Sequence, residues 1–109
     1  MAAMRQIDHF ISGGAGGGSA RVGDVFDPNN GGVQAQVALG DAAVLERAVQ
    51  AALKAQPAWA ATNPQRRARV MFEFKRLVEA NMDDLAHMLS SEHGKVIADS
   101  KGDIQRGLE

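Results

Sequence analysis

Leu45, Ala48, Val49, Ala52 and Leu53 recur at i, i+3, i+4, i+7 and i+8, a spacing that lines one face of a helix with apolar side chains. Nothing else in the chain constrains its folding as strongly. Asp41, just upstream, is a natural N-cap, able to accept from backbone N–H groups two or three residues on. Pro57 is expected to end or kink this helix, because its ring clashes with the carbonyl four residues back. Trp59, the single tryptophan, is then expected to plug the corner that follows. Asn63-Pro64 predicts the next start: a capping residue followed by proline at the first helical position. Val70, Met71, Phe74, Leu77 and Val78 form the expected buried stripe of this second helix, with Phe72 on a flank. A third helix opens at Asn81 or Asp83, where Asp83 and Asp84 suit the positive end of the helix dipole. Leu85, Met88 and Leu89 are its apolar face, and Gly94 is its expected C′ residue. From Val96 a fourth helix is predicted. Its Ile97, Ile104 and Leu108 fall within about 40° of one another and Arg106 almost opposite.

Ahead of Asp41 the patterning changes to short strands. Met4 to Ile11 and Gly23 to Asp27 suit strands, and Val33 to Leu39 alternates as one half-buried strand should. Pro28-Asn29-Asn30-Gly31-Gly32 supplies hairpin turn chemistry. Gly13 to Gly18, nearly pure glycine, reads as a mobile loop between strands. The fold class expected is therefore α+β: an antiparallel ribbon over about 4–39, then about four helices over about 41–109. Such a ribbon alone would be marginal in water.

Several function classes are disfavoured by composition. The chain has no cysteine, which removes disulfides, a thiolate nucleophile and thiolate metal sites. A net charge of −1 gives no global pull toward nucleic acid or acidic membranes. No apolar run approaches the ~20 residues of a membrane span. Met1 to Gln6 has no apolar signal core, so a cytoplasmic location is the expectation. The glycine tract fails as a dinucleotide loop, since Gly14 and Gly16 fit G-x-G-x-x-G but the last position is Ser19. His87 and His93, six apart, do not share a helix face, and His9 lies far off in sequence, so no metal is expected. The loop from Asp27 lacks the acid that calcium requires at its twelfth position, which is Ala38. Arg66, Arg67, Arg69, Lys75 and Arg76 make one helix basic, but Glu73 interrupts the stripe and no aromatic platform accompanies it. Neither a paired-acid site nor a Ser-His-Asp arrangement is readable.

Arg106 is the one residue for which a binding role is argued. Its plain reading is a surface arginine paired with Asp103 three residues back. A binding reading needs an anionic substrate, because guanidinium offers a planar two-donor fork that matches a carboxylate. Gly102 and Gly107 would leave room for it, while weakening the helix by ~1 kcal/mol each.

The strings DVFDPNNGGV, AAVLERAVQAALKAQPAWAAT, PQRRARVMFEFKRLVEANMDDLAHMLSSEHGK and GDIQRGLE resemble the aldehyde dehydrogenase superfamily. The phenylalanine pair in RARVMFEFKRL and the ending QRGLE resemble its CoA-acylating methylmalonate-semialdehyde dehydrogenase branch. The likeness runs from about Ile7 but spans only about the first fifth of a family member. It implies that residues 1–109 are a partial N-terminal segment of the NAD-binding domain of the α/β family fold, with the catalytic domain absent. In that branch the arginine matching Arg106 holds the substrate carboxylate together with a second arginine further along. A cysteine attacks the aldehyde, NAD takes the hydride, carbon dioxide leaves, and CoA takes the acyl group to give propionyl-CoA or acetyl-CoA. The resemblance thus implies a small semialdehyde substrate, NAD and CoA as cofactors of the complete enzyme, and a homo-oligomeric parent. It implies no nucleic-acid or membrane partner. The segment alone is expected to be inactive, to bind neither cofactor, and to expose its Phe74/Leu77 and Ile104/Leu108 faces. Departures from the family pattern are ISGG and the glycine tract in place of an ING-type turn, and Val96 where threonine is usual. A succinate-semialdehyde branch and a free-standing helical interaction module are the alternatives.

Overall fold

The structure, a computed structural model, describes residues 3–109; Met1 and Ala2, at the head of the stretch inspected for a leader, lie outside the described residues. The chain divides into two compact units, one comprising the strands up to Phe26 and Val33–Ala61, the other Asp27–Gly32 and Thr62–Glu109.

In the first unit, β1 (Arg5–Ile7), β5 (Val33–Leu39) and β4 (Arg21–Phe26) form a sheet in the order β1-β5-β4. β4 and β5 are antiparallel, with Arg21 opposite Leu39 and Val25 opposite Ala35. β1, however, lies parallel to β5, with Arg5 opposite Ala35 and Ile7 opposite Val37. The expected ribbon is antiparallel in its other pairings and departs from expectation here. A parallel neighbour requires a crossover of a dozen residues or more, and the chain from Asp8 to Gly32 is long enough to supply one.

The expected Met4–Ile11 strand is split. Phe10–Ile11 (β2) pairs instead with Gly14–Ala15 (β3) in a separate antiparallel hairpin. Ser12 and Gly13 turn it with φ of 57° and 80°, the left-handed pair that a two-residue hairpin favours. The glycine tract is thus partly strand and not only a connecting loop. Its end is also tied down: the Gly18 N–H donates to both Asp8 carboxylate oxygens, at 3.0 and 3.2 Å.

α1 (Ala42–Ala61) opens as expected, with Asp41 Oδ1 accepting from the Val44 N–H at 2.9 Å. It does not end at Pro57, which lies inside the helix. Proline forfeits one bond to the carbonyl four residues back, and the alanines around Trp59 are strong enough helix formers to carry the last turn. Trp59 is consequently a helical residue, 45% exposed, and plugs no corner. Ala35 on β5 is the fully buried apolar residue of this unit.

In the second unit, the Asp27–Gly32 loop is closed by the Asp27 N–H donating to the Gly32 carbonyl at 2.7 Å. Gly31 takes the positive φ of 75° that the Asn-Gly pair predicts. α2 (Pro64–Ala80) is capped by Asn63 Oδ1, which accepts from the Gln65 N–H at 2.8 Å. Its apolar stripe, expected to be buried, is not: Val70, Met71, Phe74 and Leu77 are 46–60% exposed. α3 (Met82–His93) and α4 (Ile97–Leu108) form a helical hairpin, and the buried residues of this unit, Ala86 and Ser100, belong to it.

Candidate functional site: the α3–α4 hairpin and Arg106

The hairpin is built to hold α4 in place. Small residues let the two helices approach, and Ser100, fully buried, sets its Oγ 2.7 Å from Ser90 Oγ. Lys101 on α4 reaches Asp83 on α3 at 2.6 Å. Gly94 stops α3 in the left-handed conformation, φ 88°, and its N–H donates to the Ser90 carbonyl at 2.8 Å. A side chain there would bring a Cβ to 3.1 Å from Pro28 Cγ. Val96 opens α4 with no side-chain cap. Ile97, Ile104 and Leu108 are half-buried along the stripe that the spacing predicts, so the Ile104/Leu108 face is not exposed as expected, unlike that of Phe74 and Leu77.

Arg106 projects from the last turn with 73% of its side chain exposed. Its guanidinium donates through Nη2 to Asp103 Oδ1, the i−3 pairing expected from the sequence. Asp103 is not Arg106's alone. Lys95, in the turn between the helices, donates through Nζ to the other carboxylate oxygen. The Lys95 ammonium, and secondarily Arg106, hold the Asp103 carboxyl below the usual carboxylate range. Lys95 is only 22% exposed, so its charge is set in place and not merely drifting in solvent. A Cβ added at Gly102 or Gly107 would meet nothing within 4 Å, so the helix surface around Arg106 is open. Chemically, this is an exposed cationic fork, paired with Asp103 on its own helix, with free space beside it. It can bind and orient an anion but carries no nucleophile and no general base.

The Arg106–Asp103 pair was readable from the sequence, whereas the Lys95–Asp103 pair was not. A spacing of eight across a glycine stop shares no helix face, so helical periodicity gives no signal for the Lys95–Asp103 pair. The remaining basic residues have plainer roles where the structure pairs them. Arg76 grips Glu73 through Nε and Nη2 at 2.9 and 2.6 Å, lowering the Glu73 carboxyl below its ordinary range, and Lys75 lies 4.0 Å from Glu79. His87 Nδ1 contacts the Asp83 carbonyl at 2.7 Å within its own helix. His9 Nε2 is buried without a hydrogen-bond partner among the described residues, beside an 810 Å³ cleft of the first unit that Arg21, Asp41 and Val44 also line. Among the described residues no three His, Asp or Glu side chains gather to hold a metal ion. Nor is any helix there long and apolar enough to cross a membrane.

The glycine tract does not fit a dinucleotide. Strand β4 follows it instead of a helix N-terminus, and the Gly18 N–H is already taken by the chain's own Asp8 carboxylate.

The chain belongs to the aldehyde dehydrogenase family, whose model matches residues 16–109. Within that family it is similar to the malonate-semialdehyde dehydrogenase of Pseudomonas aeruginosa, 39% identical over 97% of this chain and 21% of that one. Among solved structures it is similar to a provisionally named methylmalonate-semialdehyde dehydrogenase from Sinorhizobium meliloti 1021, crystallised with NAD. There the identity is 54%, the TM-score 0.95, and the match covers 99% of this chain and 22% of that one. The methylmalonate-semialdehyde dehydrogenase of Oceanimonas doudoroffii matches with a TM-score of 0.94 and 39% identity, over 96% of this chain and 22% of that one. The chain therefore spans about a fifth of the length of the relatives it matches.

Proposed function

We propose that this chain serves as the N-terminal segment of the NAD-binding domain of a CoA-acylating methylmalonate- or malonate-semialdehyde dehydrogenase, and that Arg106 is its contribution to substrate binding. The observation that carries this reading is the Arg106 guanidinium: exposed, mounted on a locked hairpin, and flanked by two glycines with open space above them. One Nη2 bond goes to Asp103, which leaves Nε and Nη1 uncommitted among the described residues. A guanidinium has five N–H donors, so a substrate carboxylate can be gripped without breaking the Asp103 pair. The malonate-semialdehyde names of the relatives fit a substrate with an acid group at one end and an aldehyde at the other.

Holding the acid end fixes where the aldehyde end sits, and that positioning is what this segment contributes to the rate. NAD as hydride acceptor and CoA as acyl acceptor belong to the complete, cytoplasmic enzyme. These 109 residues alone bind neither and turn over nothing. The match of nearly the whole chain to much longer dehydrogenases favours this reading over a self-sufficient interaction module.

The test is a segment swap, with this chain replacing the matched 22% of the Oceanimonas doudoroffii enzyme. In the swapped enzyme Arg106→Met should raise KM for malonate semialdehyde about ten- to hundredfold, the worth of a lost charge-assisted bond. Turnover of propanal, which has no carboxylate, should be unchanged. An equal effect on both aldehydes would overturn the carboxylate reading.

A further inference from the structure

An arginine paired with an aspartate on its own helix is electrically close to neutral and a poor anion binder. Here the aspartate is shared. Lys95 and Arg106 take different oxygens of the Asp103 carboxylate, so the three groups together retain one positive charge. We propose that Lys95 is a positioning and specificity-determining residue for the carboxylate site: by taking up half of Asp103, it keeps Arg106 from being neutralised by its own helix.

The geometry supports the division of labour. Lys95 comes from the turn and Arg106 from the last helical turn, so the two cations approach Asp103 from different elements. Lys95 is the more enclosed of the two, at 22% exposed against 73% for Arg106. The more enclosed cation therefore holds the carboxylate, and the exposed one is left facing outward. Without Lys95, Asp103 would turn both oxygens on Arg106 and form the fork-to-fork pair that guanidinium and carboxylate favour. That arrangement would compete directly with an incoming substrate carboxylate. Lys101, the other cation of α4, lies nearly opposite Asp103 on the helix and is occupied by Asp83, so it does not substitute for Lys95.

The inference rests on Arg106 being the carboxylate grip, and the experiment separates the two ideas. In the swapped enzyme, Lys95→Met should raise KM for malonate semialdehyde about tenfold with kcat unchanged, and leave propanal turnover as it was. Lys95→Arg, which keeps the charge, should restore KM. The double variant Lys95→Met/Asp103→Asn should also restore it, because it removes the competing carboxylate together with its counter-charge. A structural role for Lys95 would instead move both aldehydes alike. If Arg106→Met discriminates between the aldehydes but Lys95→Met does not, Lys95 has no such role while the carboxylate reading stands. If neither discriminates, the carboxylate reading itself falls. Should the swapped protein not assemble, hydrogen exchange at Arg106 Nε in the 109-residue chain decides the matter. Lys95→Met should slow that exchange by tightening the Asp103 pair, and unchanged or faster exchange would overturn the proposal.

Discussion

Ser100 Oγ lies 2.7 Å from Ser90 Oγ at a point where Ser100 has no solvent exposure at all, and this contact is where α4 is seated on α3. Ser100→Ala should destabilise the chain by about 1 kcal/mol, because it leaves the half-buried Ser90 hydroxyl without its partner. Ser100→Leu should cost more, roughly 1–3 kcal/mol, since the added side chain must force the helices apart. Urea unfolding midpoints of the two variants check the order. Equal midpoints would mean that the helices do not cross closely at this residue.

Phe72 and Phe74 on α2 are 70% and 60% exposed, and Met71 and Val70 beside them are more than half exposed. The isolated chain should therefore bind a hydrophobic dye strongly or self-associate. Replacing Phe74 and Leu77 together by aspartate should cut dye fluorescence by at least about half. Stability should shift by no more than about 0.5 kcal/mol per residue, as for other exposed positions. A large loss of stability instead would show the stripe to be covered in solution.

The sequence made this face legible but not its environment. Helical spacing correctly grouped Val70, Met71, Phe74 and Leu77, yet spacing says which side of a helix is apolar and nothing about what covers it. Caps were readable because they are local: Asp41, Asn63 and Gly94 each act within four residues of themselves. The direction of β1 was not, because alternation is the same for parallel and antiparallel partners and the pairing is set far away, at Ala35 to Val37. Pro57 does not end its helix for the opposite reason: a strong local rule was outweighed by the helix formers on either side, which carry α1 through to Ala61. At the site, the Arg106–Asp103 pair followed from a spacing of three, whereas Lys95 crosses a turn to reach the same carboxylate.

Asp103 is held below the usual carboxylate range chiefly by Lys95, and Asp83 chiefly by Lys101. A lowered folded pKa means that the unfolded chain binds the proton more tightly than the folded one. The stability these pairs contribute is then complete above the ordinary aspartate value of about 4 and is lost as pH falls through the lowered folded values. The contribution should be flat from pH 7 to about 5 and decline below about 4, and Asp103→Asn should blunt that decline. Added salt should weaken the pair at Asp83, the more exposed carboxylate, more than the pair at Asp103. Carbon-13 titration of the Asp103 carboxyl is the direct measurement. A value at or above the ordinary one would show that Lys95 does not reach it.

Gly94 ties the fold to the site. Its φ of 88° belongs to the left-handed region, and a Cβ would sit 3.1 Å from Pro28 Cγ, so two separate penalties fall on any replacement. Gly94→Ala should cost about 1 kcal/mol for the backbone conformation alone, with a further increment unless Pro28 gives way. Asparagine tolerates the left-handed region better than alanine, so Gly94→Asn should recover part of the backbone cost and leave the contact with Pro28. Lys95 is the next residue, and any reshaping of this turn moves its ammonium away from Asp103. Gly94→Ala should therefore lower the melting temperature and, in the same protein, bring the Asp103 carboxyl back toward its ordinary pKa. A drop in melting temperature with Asp103 unmoved would mean that the turn supports the hairpin without aiming Lys95, and the link between the glycine stop and the arginine would be broken there.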